Sequence, residues 1–273
     1  MSRPVDREFP EIDTNVAHAA RVYDYLLGGT HNFAVDRAAA HAQLEAMGQE
    51  LEESRADIRA NRSFLGRAVR YLATEVGVRQ FLDLGTGIPN EDNVHAVAQE
   101  AAPDARIVYV DNDPVVLAHA HTLVKSTPEG AAAYIDGDLT DPPTVLKRAG
   151  ATLDLTRPVA VLLVSLLHLV PDEADPYRIV AGYVDALPSG SYLVVTQLTK
   201  DIRPEAMARL EQSAPPDARY AFVMRSHAEV SRFFAGLELV EPGVVTVDAW
   251  HPDEPAPADA DPIPFYCGVG RKP

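Results

Sequence analysis

The chain has 273 residues, and 40 Asp and Glu against 24 Lys and Arg give it a formal charge of −16. That balance argues against a binder of phosphate backbones, which needs clustered cations, while an apolar fraction of 47% suffices for a real core and argues against general disorder. A single cysteine, Cys267, excludes an intrachain disulfide and a Cys-rich zinc site and fits a reducing compartment.

The charged leader, residues 1–14, is broken by Pro4 and Pro10 and has no signal-peptide apolar region. The longest apolar run, 159–170, contains Ser165 and His168 and is too short for a membrane helix, so the expectation is a cytoplasmic protein without a membrane partner. Val16, Ala19, Ala20, Tyr23 and Leu27 recur at helical spacing, with Thr14 or Asn15 placed to cap and Gly28-Gly29 placed to stop. Residues 33–53, Ala-rich and charged, predict one or two exposed helices. Phe64, Leu65, Ala68, Val69 and Leu72 predict a more amphipathic helix from Asn61 to about Glu75. Residues 1–75 therefore read as a helical extension, and 76–273 as the main domain.

Short apolar runs at 80–84, 106–110, 133–135, 159–164 and 191–196 then alternate with helical stretches near 92–101, 114–125, 142–149 and 174–187. That alternation predicts a parallel sheet covered on both faces. Near-continuous Val and Leu in 159–164 suit a central strand. Ser226-His-Ala-Glu229 is a capping box that starts a last helix, ending near Gly236, and two more strands are expected at 243–247 and 265–268. The fold expected is α/β, a doubly wound, Rossmann-like and mostly parallel seven-stranded sheet. Between the last two strands, 251–264 is rich in Pro and acid and reads as a long loop or flap.

The most informative segment is Phe81-Leu-Asp83-Leu-Gly85-Thr86-Gly87. A strand followed by Gly-x-Gly turns tightly and lets a ligand approach backbone N–H groups at a switch point of the sheet. The second strand ends in Asp111-Asn112-Asp113-Pro114, with Asp111 24 residues after Gly87, where an acid that accepts ribose hydroxyls is expected. Asp113 is then the helix cap and Asp111 is left for the ligand. The third strand ends in Asp136-Gly-Asp138-Leu139, so three consecutive strand ends carry acids. Such an edge calls for a ligand with hydroxyls, an amine or a cation. A dinucleotide fits poorly, because its pyrophosphate would sit near Asp83 and Asn90 stands where the third glycine of Gly-x-Gly-x-x-Gly belongs. S-adenosyl-L-methionine, which has no phosphate and carries a sulfonium and an ammonium, fits better.

In these motifs the chain resembles the class I S-adenosylmethionine-dependent methyltransferases. The resemblance implies that Asp83-Leu-Gly85-Thr86-Gly87 is the cofactor loop, that Asp111 with Asn112 holds the ribose, that Asp138-Leu139 clamps the adenine and that Ser165-Leu-Leu-His168 borders the methionine moiety. Ala20-Arg-Val-Tyr23-Asp-Tyr-Leu-Leu-Gly-Gly29, Asn32-Phe33, Asp36-Arg37, Asn61-Arg62 and Val108-Tyr-Val-Asp-Asn-Asp-Pro114 extend the likeness over nearly the whole chain. They resemble a bacterial S-adenosyl methyltransferase family catalogued as a domain of unknown function. That likeness implies fold and cofactor, not the acceptor.

Tyr23, Asp24 and Tyr25 occupy consecutive helical positions and cannot all face one core, and Gly28 to Phe33 is elaborate for a connector. One reading folds this helix and turn over the cofactor, with Tyr23 and Asn32 at its methionine end and Arg62 on its carboxylate. The other leaves Tyr23 and Phe33 in packing and Arg62 on the surface. Methyl transfer gains mainly from positioning, and a general base matters only for a hydroxyl or cationic nitrogen acceptor. His168 is the first candidate for such a base and His31 the second, the alternative for His168 being a satisfied histidine at a strand–helix junction.

The sequence has no Gly-x-Ser-x-Gly elbow and no phosphate-binding P-loop, and its two helical histidines His119 and His121 diverge, which is wrong for sharing a metal. No Asn-Pro-Pro-Tyr-like element follows the fourth strand, which disfavours a base-flipping nucleic-acid methylase. The expected activity is methyl transfer to a small molecule, with no metal and no nucleic acid, and with the oligomeric state open. The alternatives are an NAD-type oxidoreductase and a non-catalytic regulator that binds S-adenosylmethionine.

Overall fold

The structure, a computed structural model, describes residues 13–89, 93–123, 126–213, 221–254 and 261–273, with the backbone alone for 119–123. Most of the leader, Asn90, the side chains of His119 and His121 and part of the 251–264 loop lie outside the described residues. Three helices come first: α1 (Ala19–Leu27), α2 (Ala34–Met47) and α3 (Leu51–Tyr71), the last continued by a π-helical turn to Val76. The cap of α1 is His18 and not Thr14 or Asn15; Gly28 closes the other end. Helix α3 starts ten residues before Asn61, which is buried in its middle. Helix α2 is not an exposed helix either, since it buries Asp36, Ala39, Ala40, Gln43 and Leu44.

Strands β1 (Gln80–Leu84), β2 (Arg106–Asp111), β3 (Ala131–Asp136), β4 (Ala160–Leu163) and β5 (Tyr192–Leu198) alternate with α4 (Val94–Ala101), α5 (Pro114–Leu123), α6 (Pro142–Ala149) and α7 (Pro176–Asp185). Helices α8 (Pro204–Gln212) and α9 (His227–Ser231) follow, then β6 (Glu238–Leu239), β7 (Val245–Thr246) and β8 (Phe265–Arg271). The capping box of α9 is present, with Ser226 N donating to Glu229 Oε2 at 2.7 Å. Neither α8 nor β6 was legible as an element, because α8 buries only Met207 and Leu210 and β6 is two residues long.

The sheet runs β3-β2-β1-β4-β5-β8-β6, with β7 also on β8. Strands β1 to β5 are parallel and β8 is antiparallel to β5. Because β6 and β7 pair with different ends of β8, the eight strands fill seven lateral positions. Period-two alternation splits the core. Phe81, Ile107, Leu162 and Val194 face α3 and α4, while Leu82, Val108, Leu163 and Val195 face α6 and α7. The C-terminal half of α3 belongs to this core through Phe64, Leu65, Ala68, Val69 and Leu72. The chain reverses its direction of winding between β1 and β4, and a cleft opens at that switch point. Among the described residues no helix is long and apolar enough to cross a membrane.

Candidate active site

The loop after β1 is built around its own amides. Gly85 sits at φ 64°, and a Cβ there would lie 2.5 Å from Leu166 Cδ1, so a side chain at this position is strained and has to displace Leu166. Its N–H and that of Thr86 donate to Val110 O, at 2.8 and 3.2 Å. Gly87 N donates to Asp111 Oδ2 at 2.8 Å, and Asp113 N to Asp111 Oδ1 at 2.9 Å. Asp111 is therefore engaged by two backbone amides, although each oxygen keeps acceptor capacity for a ligand hydroxyl. Burial pushes its carboxyl up, and the amides of Asp113 and Gly87 pull it back. Asp113 caps α5 through Val115 N at 2.8 Å and turns its other oxygen to His18 Nδ1, 2.8 Å away.

Asp83 departs from the expected edge of three acids. It is paired in register with Tyr109, two residues before Asp111 on the neighbouring strand, so it lies deeper along the sheet, buried and in contact with Thr86, and does not line the cleft. Burial pushes its carboxyl up to about 7, although Arg62 and the Thr86 hydroxyl both favour the ionised form. Asp138 is exposed at the rim, where its Oδ1 accepts from both the backbone and the hydroxyl of Thr140 at 2.8 Å, and Leu139 is held through Tyr183 OH to Leu139 O at 3.0 Å. Asn112 is exposed on the same wall.

The far side of the cleft is closed by the amino-terminal helices. Tyr23 OH accepts from Asn61 Nδ2 at 3.1 Å and interacts with Ser165, while burial raises its pKa against the pull of Arg62. Ser165 holds φ 58°, a strained value for a residue with a side chain, and its N–H donates to Thr196 Oγ1 at 2.8 Å. Tyr23, Arg62, Ser165 and Thr86 thus meet at one place. Asn32 does not join them. Its Nδ2 donates to Asp24 Oδ2 and Gly29 O, its Oδ1 accepts from Arg37, and it does not line the cleft. His31 is exposed at the rim, its N–H donating to Asp24 Oδ2 at 2.9 Å.

His168 lines the inner end of the cleft. It is 5% exposed, and Nδ1 has no hydrogen-bond partner among the described residues. Burial and the nearby Arg225 push it down to about 3, so the imidazole is neutral at physiological pH and a weak base. Three further groups shape the site without an obvious mark in the sequence. His18 and Arg21 reach Asp113 from α1, and buried Arg225 donates to Leu167 O, Val170 O and Asp172 Oδ1. For Asp24 a signal existed, since its neighbour Gly-Gly marks a turn that a buried carboxylate can close.

All these walls enclose one cavity of about 1300 Å³, above the usual range of roughly 300–1,000 Å³ for a ligand site. The model of the S-adenosyl methyltransferase family matches residues 6–273. The chain belongs to this family. The methyltransferase is similar over 96% of its length to the whole of a DUF574 family protein from Streptomyces avermitilis, at 44% identity and a TM-score of 0.90. It is also similar over 98% of its length to 99% of a candidate methyltransferase from Thermobifida fusca, at 38% identity and a TM-score of 0.87. The magnesium protoporphyrin IX methyltransferase of Synechocystis, solved with bound S-adenosylhomocysteine, shares the fold alone, at 12% identity and a TM-score of 0.51 over 81% of this chain and 87% of that one. No curated protein matches the chain.

The methyltransferase uses S-adenosylmethionine, and the geometry of its loop suits that cofactor and not a dinucleotide. The amides of Gly85, Thr86 and Gly87, which a pyrophosphate would need, are already given to Val110 O and Asp111. What the cleft offers instead is carboxylate oxygen at Asp111 and Asp138 for hydroxyls and an amine, and several guanidinium groups, of which Arg62 acts on the buried Asp83.

Proposed function

We propose that the protein transfers a methyl group to a small molecule bound in the same cavity as the cofactor, and that the residues gathered at the switch point divide the work of holding the two. The observation that carries this reading is one cavity in which the spent Gly-x-Gly amides and the acceptor oxygens of Asp111 and Asp138 share a lining with His168, Leu198, Met207 and Phe265. S-adenosylmethionine, when bound, supplies a methyl carbon made electrophilic by its sulfonium. Asp111, already oriented by Gly87 N–H, accepts from the ribose hydroxyls, with Asn112 beside it. Asp138 and Leu139 border the adenine. Arg62 serves the cofactor carboxylate, and Tyr23 and Ser165 enclose its methionine end. Asp83 acts from below, as a buried acid that stabilises positive charge in the cavity without touching it.

The helical extension is a cover. Helix α1 and its turn exclude water from the reacting centre, and His18 and Arg21 fasten that cover to Asp113 at the end of β2. His168 is too weak a base to take a proton from an ordinary hydroxyl, so its part is to orient the acceptor; His31, at the rim, is left with guarding the entrance.

Calorimetry with S-adenosylhomocysteine tests the holding roles. Asp111→Ala and Arg62→Ala are each expected to weaken binding by about tenfold or more, the worth of one charge-assisted hydrogen bond. Unchanged affinity in both would remove the cofactor from this cleft. Labelled methyl from S-adenosylmethionine is expected in the small-molecule fraction of an extract, and label confined to nucleic acid or protein would overturn the acceptor class.

A further inference from the structure

In a chain whose formal charge is −16, the stretch 59–70 of α3 carries Arg59, Arg62, Arg67 and Arg70 and no acid. Arg59, Ser63, Gly66 and Arg70 follow one another at intervals of four, three and four residues, so they share one stripe of the helix, and Arg62 and Arg67 flank that stripe. The stripe is a trough, with the small residues Ser63 and Gly66 as its floor and arginines at its ends and sides. All of these residues line the cavity. Arg59, Ser63 and Arg70 are exposed and Arg62 and Arg67 half-buried, which makes the trough the outer lip of the cleft. Arg62, which acts on Asp83 and Tyr23, joins it to the cofactor end.

The contacts of these arginines within the chain leave much of their charge unmatched. Arg67 donates to Trp250 O at 3.1 Å, to Ser63 Oγ at 2.7 Å and to Val247 O at 2.6 Å, all of them neutral acceptors. Arg59 meets Glu52 at 3.5 Å, in an exposed pair of the kind that contributes little. Arg70 has no side-chain hydrogen bond or ion pair among the described residues, and its charge opposes that of Arg67. Gly66 is the second sign. Glycine inside a 21-residue helix lowers its stability, yet a Cβ there would meet no described atom within 4 Å. Packing of the described chain does not call for glycine at 66; a ligand lying on the floor of the trough does.

We propose that this trough docks the methyl acceptor and that the acceptor is an organic anion, a small molecule whose carboxylate or phosphate lies over Ser63 and Gly66 between the arginines. The proposal rests on the methyl-transfer reading above and adds the class of acceptor to it. The cofactor brings a single carboxylate, which Arg62 serves, so Arg59, Arg67 and Arg70 remain for a second anion. Asp253 acts on Arg67 from the facing wall, while Asp57 is engaged by Arg203 and Asp113 by His18 and Arg21. Guanidinium groups match carboxylate and phosphate oxygens with paired N–H groups, and a helix backbone without a Cβ lets such a group come close. A chain of this net charge repels anions at a distance, and a local cluster of cations at the lip of its cleft reverses that field where the acceptor enters.

The test is calorimetry on the full chain saturated with S-adenosylhomocysteine, titrated with phenyl phosphate, benzoate and benzamide. The better of the two anions is expected to bind about tenfold or more tightly than the neutral amide, for one charge-assisted contact, and their order tells a phosphate from a carboxylate. Arg70→Gln is expected to lower that affinity about tenfold with S-adenosylhomocysteine bound as tightly as before. Gly66→Leu, which fills the floor and suits a helix better, is expected to abolish anion binding while S-adenosylhomocysteine still binds, a split that loss of structure would not produce. In a second arm, labelled methyl transfer to an extract is expected to be lost after the extract passes an anion exchanger and to return with the salt eluate. The proposal is overturned if benzamide binds as well as both anions, if neither anion binds to wild type, if both variants leave the anions bound as before, or if the acceptor runs through the exchanger. Label in neither fraction, or failure of wild type to bind S-adenosylhomocysteine, is a separate outcome and overturns the methyl-transfer reading on which the proposal stands.

Discussion

Asp24 and Gly29 explain why a helix as short as α1 ends in so particular a turn. The Asp24 carboxylate curls back to accept from His31 N and Asn32 Nδ2, and a Cβ on Gly29 would fall on that carboxylate. Gly29→Ala is therefore expected to cost about 1–3 kcal/mol, the usual range for breaking a buried hydrogen-bonded network, and to weaken S-adenosylhomocysteine binding along with it. A denaturation midpoint equal to that of wild type would show that the carboxylate has room to move. At this scale much of the site was legible. Gly85, Gly87, Asp111, Asp138, Leu139, Ser165 and Arg62 all lie at or on the cleft. Asp83 lies level with Tyr109, two residues deeper in the sheet than Asp111, a depth that the order of the motifs does not give. Asn32 went astray because the sequence does not say which of two neighbouring loops a side-chain amide will serve.

The elements show a different pattern of success. Strands with near-continuous Val and Leu, and helices with apolar spacing, were readable because burial alone dictates them. The first half of α3 was not, since the face it buries carries Ser54, Asp57 and Asn61 beside Ile58. Ser54 and Asp57 face inward there because they border a cavity, and Asn61 because it holds Tyr23, so a helix that serves a site departs from the binary pattern. Helix α1 adds such contacts to its own apolar face, which buries Val22 and Leu26. Its N-cap, His18, is fixed by Asp113, and Arg21 lies 3.5 Å from the same carboxylate. Removing that carboxylate also removes the cap of α5 at Val115 N. Asp113→Ala is accordingly expected to raise amide hydrogen exchange in 19–27 and in the first turn of α5, by the loss of about 1–2 kcal/mol of local stability, while β1, β4 and β5 exchange as before. Equal protection of 19–27 in variant and wild type would mean that α1 is held by packing alone.

Taken whole, the molecule carries two buried titratable groups at one cleft whose effects on stability oppose each other. The sign follows from which state binds the proton. Burial raises Asp83 from 3.8 to about 7, so the folded chain holds this proton longer than the unfolded one, and stability is lost as pH rises through that interval. Burial and Arg225 lower His168 from 6.5 to about 3, so the unfolded chain takes this proton first, and stability is lost as pH falls below 6.5. Between pH 5 and 6.5 the two slopes cancel, each up to about 1.4 kcal/mol per pH unit. Asp111 is raised and His95 lowered in the same senses, so the informative quantity is the difference between each variant and wild type. Carboxylates held ionised, such as Glu229 at about 2, enter only at lower pH. Relative to wild type, Asp83→Asn is expected to gain stability steadily from pH 5 to 6.5, and His168→Leu to gain it in the opposite direction, both read from urea unfolding. Difference curves that stay flat would mean that water reaches both groups in the free protein. Crossed slopes would show that the folded protein holds a proton on Asp83 that the unfolded chain has lost.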